Sequence, residues 1–319
     1  MDMGGTSCDV SLVRDGEPEV AGEVTVGDYP VRLPMVDVHT IGAGGGSIAW
    51  VDEGGSLRVG PRSAGADPGP ICYGRGGTEP TVTDAHYLLG RLSPEEFAEG
   101  ALDVERAAVV AGVREHVAEP LGVGVDSAAR GIVEVANASM ERALRVVSVE
   151  RGHDPRELSL VAFGGAGPLH AGELAAALDV PRVLVPRAAG VLSALGLLVG
   201  DVVEDVSATR VRPWEEADPT DLEERFAAFE RTGDERLTEE GVPPADRRFE
   251  RAVDVRYAGQ AYELTVPLPE SCEGTVDGPV DEDTLDNVAE DFHARHAERF
   301  GHANPEELLE LVAVRLRAR

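Results

Sequence analysis

No lysine occurs anywhere in the chain: its 29 basic residues are all arginine, against 59 aspartates and glutamates, for a net charge of −30. The missing lysine excludes a Walker-type nucleotide loop, whose glycine-rich turn ends on a lysine that reaches the phosphates. The shortage of positive charge argues against a nucleic-acid surface, because neutralising a phosphate backbone takes clustered cations. Cysteine is scarce as well. Cys8, Cys72 and Cys272 are odd in number, far apart and never in C-x-x-C spacing, which argues against a disulfide framework and against a zinc cluster. No apolar run approaches the ~20 residues that cross a bilayer, and no basic segment with a following apolar stretch opens the sequence. The expectation is a cytoplasmic protein with neither membrane nor nucleic acid among its partners.

What is present is an ordinary apolar fraction, 42% of 319 residues, enough for two domains with substantial cores. The acids are spread along the chain rather than gathered in a tail. Spread acid suits concentrated salt, where screening shortens to a few Å and self-repulsion costs little. The composition is of halophile type, and the charge then says nothing about substrate. The acid-rich stretch "LEERFAAFERTGDERLTEE" reads accordingly as a solvated helix face.

Glycine dominates the first part. "CDVSLVRDGEPEVAGEVTV" reads as short strands around Asp15-Gly16, and "VDVHT" as a strand running into Gly42–Gly46. A hairpin follows, with Ile48 and Trp50 on one side and Gly54-Gly55 at its turn. "RSAGADPGPICYGRGGTEPTVTDA" carries too much glycine and proline for regular structure and reads as a long ordered loop or lid. Helices are expected at "SPEEF", at "LDVERAAVVAGVREHVAEPLG" and along a longer segment. In that segment Ile132, Val135, Met140, Leu144 and Val147 form an apolar stripe, and Gly152 is the C-cap. "LSLVAFGG", "GPLHAGELAAALDV", "PRVLVP" and "GVLSALGLLVGDV" then alternate strand and helix, which implies a mixed or parallel sheet covered on both faces. Near Val206 the texture turns acidic. A helix from Thr220 to about Glu240, strands at "FERAVDVRY" and "AYELTVPL", a helix through "LDNVAEDFHARHAERF" and a strand at "LLELVAVRL" read as a smaller α/β module. The surface loop "ESCEGTVDGPVDED" lies within it. The boundaries are 1–205 and 206–319.

Two short motifs carry chemistry. "DMGGTSCDV" is a D-x-G-G-T turn between strands, whose backbone N–H groups can meet phosphate oxygens, with a threonine hydroxyl and flanking acids for a cation or an attacking water. The plainer alternative is a tight hairpin with incidental acids. "VAFGGAGPLHA" is a strand, a glycine turn and a helix start, where free N–H groups favour a nucleotide. Here the alternative is a turn needed only for close packing. His86, His153 and His170 fit no zinc spacing, and of these His170 is the one worth testing.

In this order, "DMGGTSCDVSLV", "TIGAGGGSIAWVDEGGSLRVGPRSAGADPGPICYGRGGTEPTVTDA", "MERALRVVSVERGHDP", "FGGAGPLHA", "GVLSALGLL" and "RYAGQAYELTVP" resemble the A-type subunit of the hydantoinase/oxoprolinase family. The resemblance implies an actin/Hsp70/sugar-kinase-like (ribonuclease H-like) ATPase lobe in the α/β class, with a smaller C-terminal α/β domain. It implies that the chain matches the C-terminal half of such a subunit, and that the first phosphate motif and the strand carrying Asp2 lie before residue 1. It implies ATP and Mg²⁺ as cofactors, and a small cyclic amide or imide of the 5-oxoproline or hydantoin type as substrate. The partners it implies are a missing N-terminal lobe and a B-type subunit. By the same resemblance Gly4, Gly5 and Thr6 meet phosphates, Asp2 holds Mg²⁺ or its water with Asp9 as a weaker second, and Gly164, Gly165 and Gly167 line the adenosine side. Ser63 to Gly74 is the substrate-side or interlobe loop, with Asp67 and Cys72 as its reactive side chains, although a packing role is the expectation for Cys72. Two other readings remain: the ATP-using subunit of an acetone-type carboxylase, and a non-catalytic assembly module.

Overall fold

A computed structural model describes residues 1–14, 16–21, 24–26, 29–31, 35–93, 106–268 and 279–319. Asp15, Cys272, the expected helix at "SPEEF" beyond Ser93 and most of the acidic loop 270–283 lie outside the described residues. The chain forms two compact units, Met1–Leu198 and Val199–Arg319.

In the first unit, β1 (Asp2–Met3), β2 (Cys8–Ser11) and β3 (Val38–Ile41) form an antiparallel sheet in that spatial order. Alternation is visible in β2, where Cys8 and Val10 are buried between less buried neighbours. The strand carrying Asp2 is therefore present, as β1 itself. Its other edge meets Phe163 in a parallel bridge, with Met3 N–H donating to the Phe163 carbonyl at 3.1 Å and Phe163 N–H to that of Met1 at 3.0 Å. Phe163 follows β6 (Ser159–Val161), which pairs in parallel with β7 (Arg182–Leu184), so antiparallel and parallel pairings meet at β1.

A hairpin, β4 (Ser47–Val51) and β5 (Leu57–Ser63), follows β3. At its turn Gly55 has a positive φ (77°) and Gly54 does not. A register shift between Ser47 and Ala49 buries Ile48 and Ala49 together and leaves Trp50 39% exposed, so Ile48 and Trp50 do not share a face as alternation predicts. The glycine-proline segment ends sooner than its composition suggests: Thr81 caps α1 (Val82–Leu88), and a capping box with Asp84 turns "TVTDA" into a helix start. α2 (Arg106–Val113) continues through a π-turn, Arg114–Ala118.

The long helix α3 (Val125–Val147) buries Ala128, Ile132, Ala136, Met140, Ala143 and Val147 in steps of three and four. Val135, expected in that stripe, is half-buried, and Val133 is buried instead. Gly152 (φ 84°) caps the short turn Val149–Arg151, while Ser148 caps α3. α4 (Gly167–Ala177) follows β6, and α5 (Leu192–Val199) follows β7.

The second unit holds a strand that the sequence reading did not mark, β8 (Glu204–Pro213), beside β9 (Phe249–Tyr257), β10 (Leu264–Pro267) and β11 (Leu309–Ala318). The spatial order is β8-β11-β9-β10 and every pairing is antiparallel. Two helices, α6 (Pro219–Glu239) and α7 (Glu282–Phe300), complete it, so helices accompany an antiparallel sheet rather than alternating with parallel strands. Leu222 and Phe226 of α6 and Phe292 of α7 fill the core against Val253, Val255 and Leu316. Two of the acids on α6 are structural rather than solvated. Glu223 and Glu230 pair at 2.8 and 2.7 Å with Arg251, which is 6% exposed. An arginine buried that deeply needs such partners.

Candidate functional site

The turn Gly4–Ser7 joins β1 to β2 and is held from below by Met3 and Cys8, both fully buried. Burying the Met3 side chain contributes roughly 1.5–3 kcal/mol to that anchoring. Burial pushes the Cys8 thiol up to about 12, so it packs rather than reacts. Within the turn, Gly4 N–H donates to the Ser7 carbonyl at 3.1 Å. Among the described residues the N–H groups of Gly5 and Thr6, both exposed, make no hydrogen bond.

A second glycine run braces the first. Gly45 N–H donates to the Gly4 carbonyl (3.0 Å) and Gly46 N–H to that of Gly5 (2.6 Å). The approach requires glycine. A Cβ on Gly44 would stand 2.5 Å from Gly5 C and Thr6 N, and one on Gly46 would stand 2.9 Å from Gly5 O. Thr83 of α1 donates its N–H and its hydroxyl to the Gly45 carbonyl, each at 2.8 Å, and so ties the brace to a helix. The sequence reading marked Gly42–Gly46 only as a glycine cluster between a strand and a hairpin. Its signal was there: three glycines in a row, far from any tight hairpin turn, mark backbone packed on backbone.

The third glycine turn meets the first through β1. Ala166 N–H donates to the Met3 carbonyl at 2.9 Å, and Gly164 N–H to that of Ala189 at 2.8 Å. Gly164 has φ +84°, and a Cβ there would overlap Asp2 Oδ1 and the Met3 carbonyl. Gly167 lies against Met3 at ordinary contact distance. Gly165 is exposed, has no positive φ, and a Cβ there would meet nothing within 4 Å. Gly4 and Gly5 are alike in facing open space without a left-handed conformation.

Asp2 and Asp9 are register partners across β1 and β2, so both carboxylates leave the same face of the sheet. Ser193, at the start of α5, donates to Asp2 Oδ2 at 2.8 Å. Thr40 donates to Asp9 Oδ1 at 2.6 Å and Ser7 to Oδ2 at 3.4 Å. Thr6 Oγ1 lies 3.5 Å from Ser63 Oγ, where the long loop begins. Among the described residues no group of three or more His, Cys, Asp or Glu side chains is placed to hold a metal ion.

That loop is pinned from inside. Asp84, fully buried, accepts from Ile71 N–H, Cys72 N–H, Thr81 N–H and the Thr81 hydroxyl at 2.7–3.2 Å. Cys72 is 1% exposed, and burial with the neighbouring Asp84 charge raises its thiol far above the usual range. Such surroundings suit packing rather than reaction. Asp67 is exposed on the same loop.

His170 of α4 meets His86 of α1 in a buried edge-on pair, Nε2 to Nε2 at 3.1 Å. The proton positions follow from one end. Glu173 can only accept, so Asn137 turns its amide N–H to it and its oxygen to His170 Nδ1, 2.6 Å away. His170 therefore donates from Nδ1 and accepts at Nε2 from His86 Nε2–H. His86 Nδ1 is left as a buried lone pair without a partner among the described residues. Burial first, then the His170 and Arg91 charges, hold His86 down to about 3; burial holds His170 down to about 4 against the opposing pull of Glu173. This neutral pair locks α1, which carries the brace, to α4, which carries the third glycine turn.

The Hydantoinase/oxoprolinase family matches residues 1–206. The caprolactamase alpha subunit of Pseudomonas jessenii is 39% identical over 98% of this chain and 44% of its own length. The 5-oxoprolinase of Saccharomyces cerevisiae is 32% identical over 99% of this chain and 24% of its own length. Among solved structures, nucleotide-free acetone carboxylase superposes with a TM-score of 0.82 at 26% identity, over 99% of this chain and 45% of that one. The chain thus spans less than half the length of these relatives. The family match over residues 1–206 and the near-complete coverage by these relatives place the chain in the hydantoinase/oxoprolinase family.

Proposed function

We propose that this chain supplies the second nucleotide-binding lobe of an actin/Hsp70/sugar-kinase-like ATPase, with 1–205 as the lobe and 206–319 as an accessory domain. The reaction we assign is ATP-dependent hydrolysis of a cyclic amide or imide of the 5-oxoproline or hydantoin type. The observation that carries this reading is the set Gly4, Gly5 and Gly165. Neither φ nor packing demands glycine at these three positions, yet all three lie on two turns joined through β1. Clearance on both turns, beside the unbonded Gly5 and Thr6 N–H groups, is what a phosphate chain would need.

The roles follow from what each group has free. Gly5 and Thr6 N–H are free for phosphate oxygens, and the Thr6 hydroxyl, now 3.5 Å from Ser63 Oγ, can turn to add a third contact, whereas the Gly4 N–H is used inside the turn and Gly4 contributes clearance. Gly165 leaves room on the adenosine side; Gly164 and Gly167 hold its turn in place. Like charges facing each other across a strand pair destabilise it, so Asp2 and Asp9 are an arrangement that a cation relieves. A hard-oxygen set of one or two carboxylates with phosphates and waters suits Mg²⁺. Asp2 is the residue that would hold it, and Asp9, tied to Thr40, is the weaker second. When bound, ATP supplies the phosphoryl group that makes a ring amide carbon open to water. Charge on a transferring phosphoryl group needs contacts from both sides, so an N-terminal lobe and a B-type subunit complete the site. Asp67, exposed on the pinned loop, is the residue of that loop free to face a substrate.

The test is reconstitution with the N-terminal half of a longer relative and its B-type subunit in a cytoplasm-like buffer. The proposal expects ADP release that 5-oxoproline or hydantoin stimulates and that Asp2→Asn abolishes. A requirement for bicarbonate would favour a carboxylase, the reading that the acetone carboxylase superposition supports.

A further inference from the structure

We propose that a second site, a cleft between β3, the β4–β5 hairpin and α3, binds a small organic anion with an apolar, ring-sized body. Its volume of about 580 Å³ falls in the ~300–1,000 Å³ range of small-molecule sites. Ile41, Leu57, Val59, Val135 and Val146 supply apolar wall. The Trp50 indole lines it too, its N–H given to the Gly60 carbonyl at 2.9 Å, which fixes the ring and leaves its face for stacking.

The polar lining is one-sided. Arg58, Arg142, His39 and Ser139 border the cleft, and among the described residues no carboxylate does, in a chain with 59 acids against 29 bases. Arg58 already gives Nε to Asp52 at 2.7 Å. Arg142 is exposed and has no carboxylate partner among the described residues; its hydrogen bond is to Ser139 Oγ at 3.5 Å. A free guanidinium fork at the mouth of an apolar cleft matches a carboxylate in shape and charge.

The site is separate from the nucleotide turn although one strand serves both. Side chains alternate along β3: Thr40 reaches Asp9, whereas His39 and Ile41 line the cleft. Gly42 and Ala43 continue from its wall into the brace at Gly44–Gly46. Binding here stands or falls independently of ATP.

The probe is 2-naphthoate, titrated by calorimetry and by Trp50 fluorescence in a Trp214→Phe chain, with neutral 2-naphthalenemethanol as control. The proposal expects one saturable site, weakened about tenfold or more by Arg142→Gln and by the neutral control, and lost in Ser139→Phe, which fills the cleft. Thermal melts establish that each variant is folded; should Ser139→Phe not fold, the exposed Arg142→Gln decides. A folded chain without saturable binding overturns the proposal. So does naphthoate binding that Arg142→Gln leaves unchanged and the alcohol matches, since that marks generic apolar adsorption.

Discussion

The opening turn and the brace beneath it are both runs of glycine, and they use it for opposite reasons. At Gly44 and Gly46 the absent side chain is where another backbone lies; at Gly4 and Gly5 it is where nothing lies. The first kind serves the fold and the second has no structural beneficiary. Glycine counts alone do not separate them, and three-dimensional surroundings do.

Substitutions at the two kinds of position should diverge, and the largest effect is expected in the brace. Gly44→Val places atoms within 2.5 Å of backbone that cannot give way, so a loss of about 3 kcal/mol or more is expected, read by urea melting. A melt within ~1 kcal/mol of the parent would remove the distinction. Next is the anchor of the long loop. Asp84→Asn cannot accept from four donors and should cost about 2–3 kcal/mol, with the segment Ser63–Gly74 becoming the first site of limited proteolysis.

The histidine pair sets a pH dependence that sharpens the comparison, since it registers brace and third turn. Its folded values lie near 3 and 4, below the ordinary 6.5. The unfolded chain therefore binds more protons between about 6.5 and 4, and stability rises with pH across that window. As pH falls it should be lost at up to about 1.4 kcal/mol per pH unit for each histidine. In His86→Leu the slope should lose one proton's worth; an unchanged slope would mean that His86 is not held neutral. The smallest stability effect is expected at Gly165→Ala, within about 1 kcal/mol of the parent because its Cβ enters open space.

Much of this was readable in the sequence. The strand-turn-helix around Gly164, the helices α3, α6 and α7, and the final strand follow from period and punctuation. Other features depend on contacts distant in sequence. The brace at Gly44–Gly46 is defined by the carbonyls of Gly4 and Gly5, far away in sequence, and Asp84 by a loop whose proline and glycine content hides a capping box. Strand β8 escaped notice because its pattern, "EDVSATRVRP", is half-exposed and polar, and only its register with β11 makes it a strand. Two acids of α6, Glu223 and Glu230, misled for the same reason, since nothing local announces that Arg251 lies beneath them.

The central claim is that the open glycines of the opening turn clear space for a phosphate chain. Its most direct test is calorimetry of MgATP on this chain joined to the N-terminal half of a longer relative, beside the same assembly carrying Gly5→Val, with melts of both. The account predicts saturable binding by the parent and at least tenfold weaker binding by a variant that melts within about 1 kcal/mol of it. Equal affinity in the two, or no binding by a parent assembly shown to be folded, would contradict it.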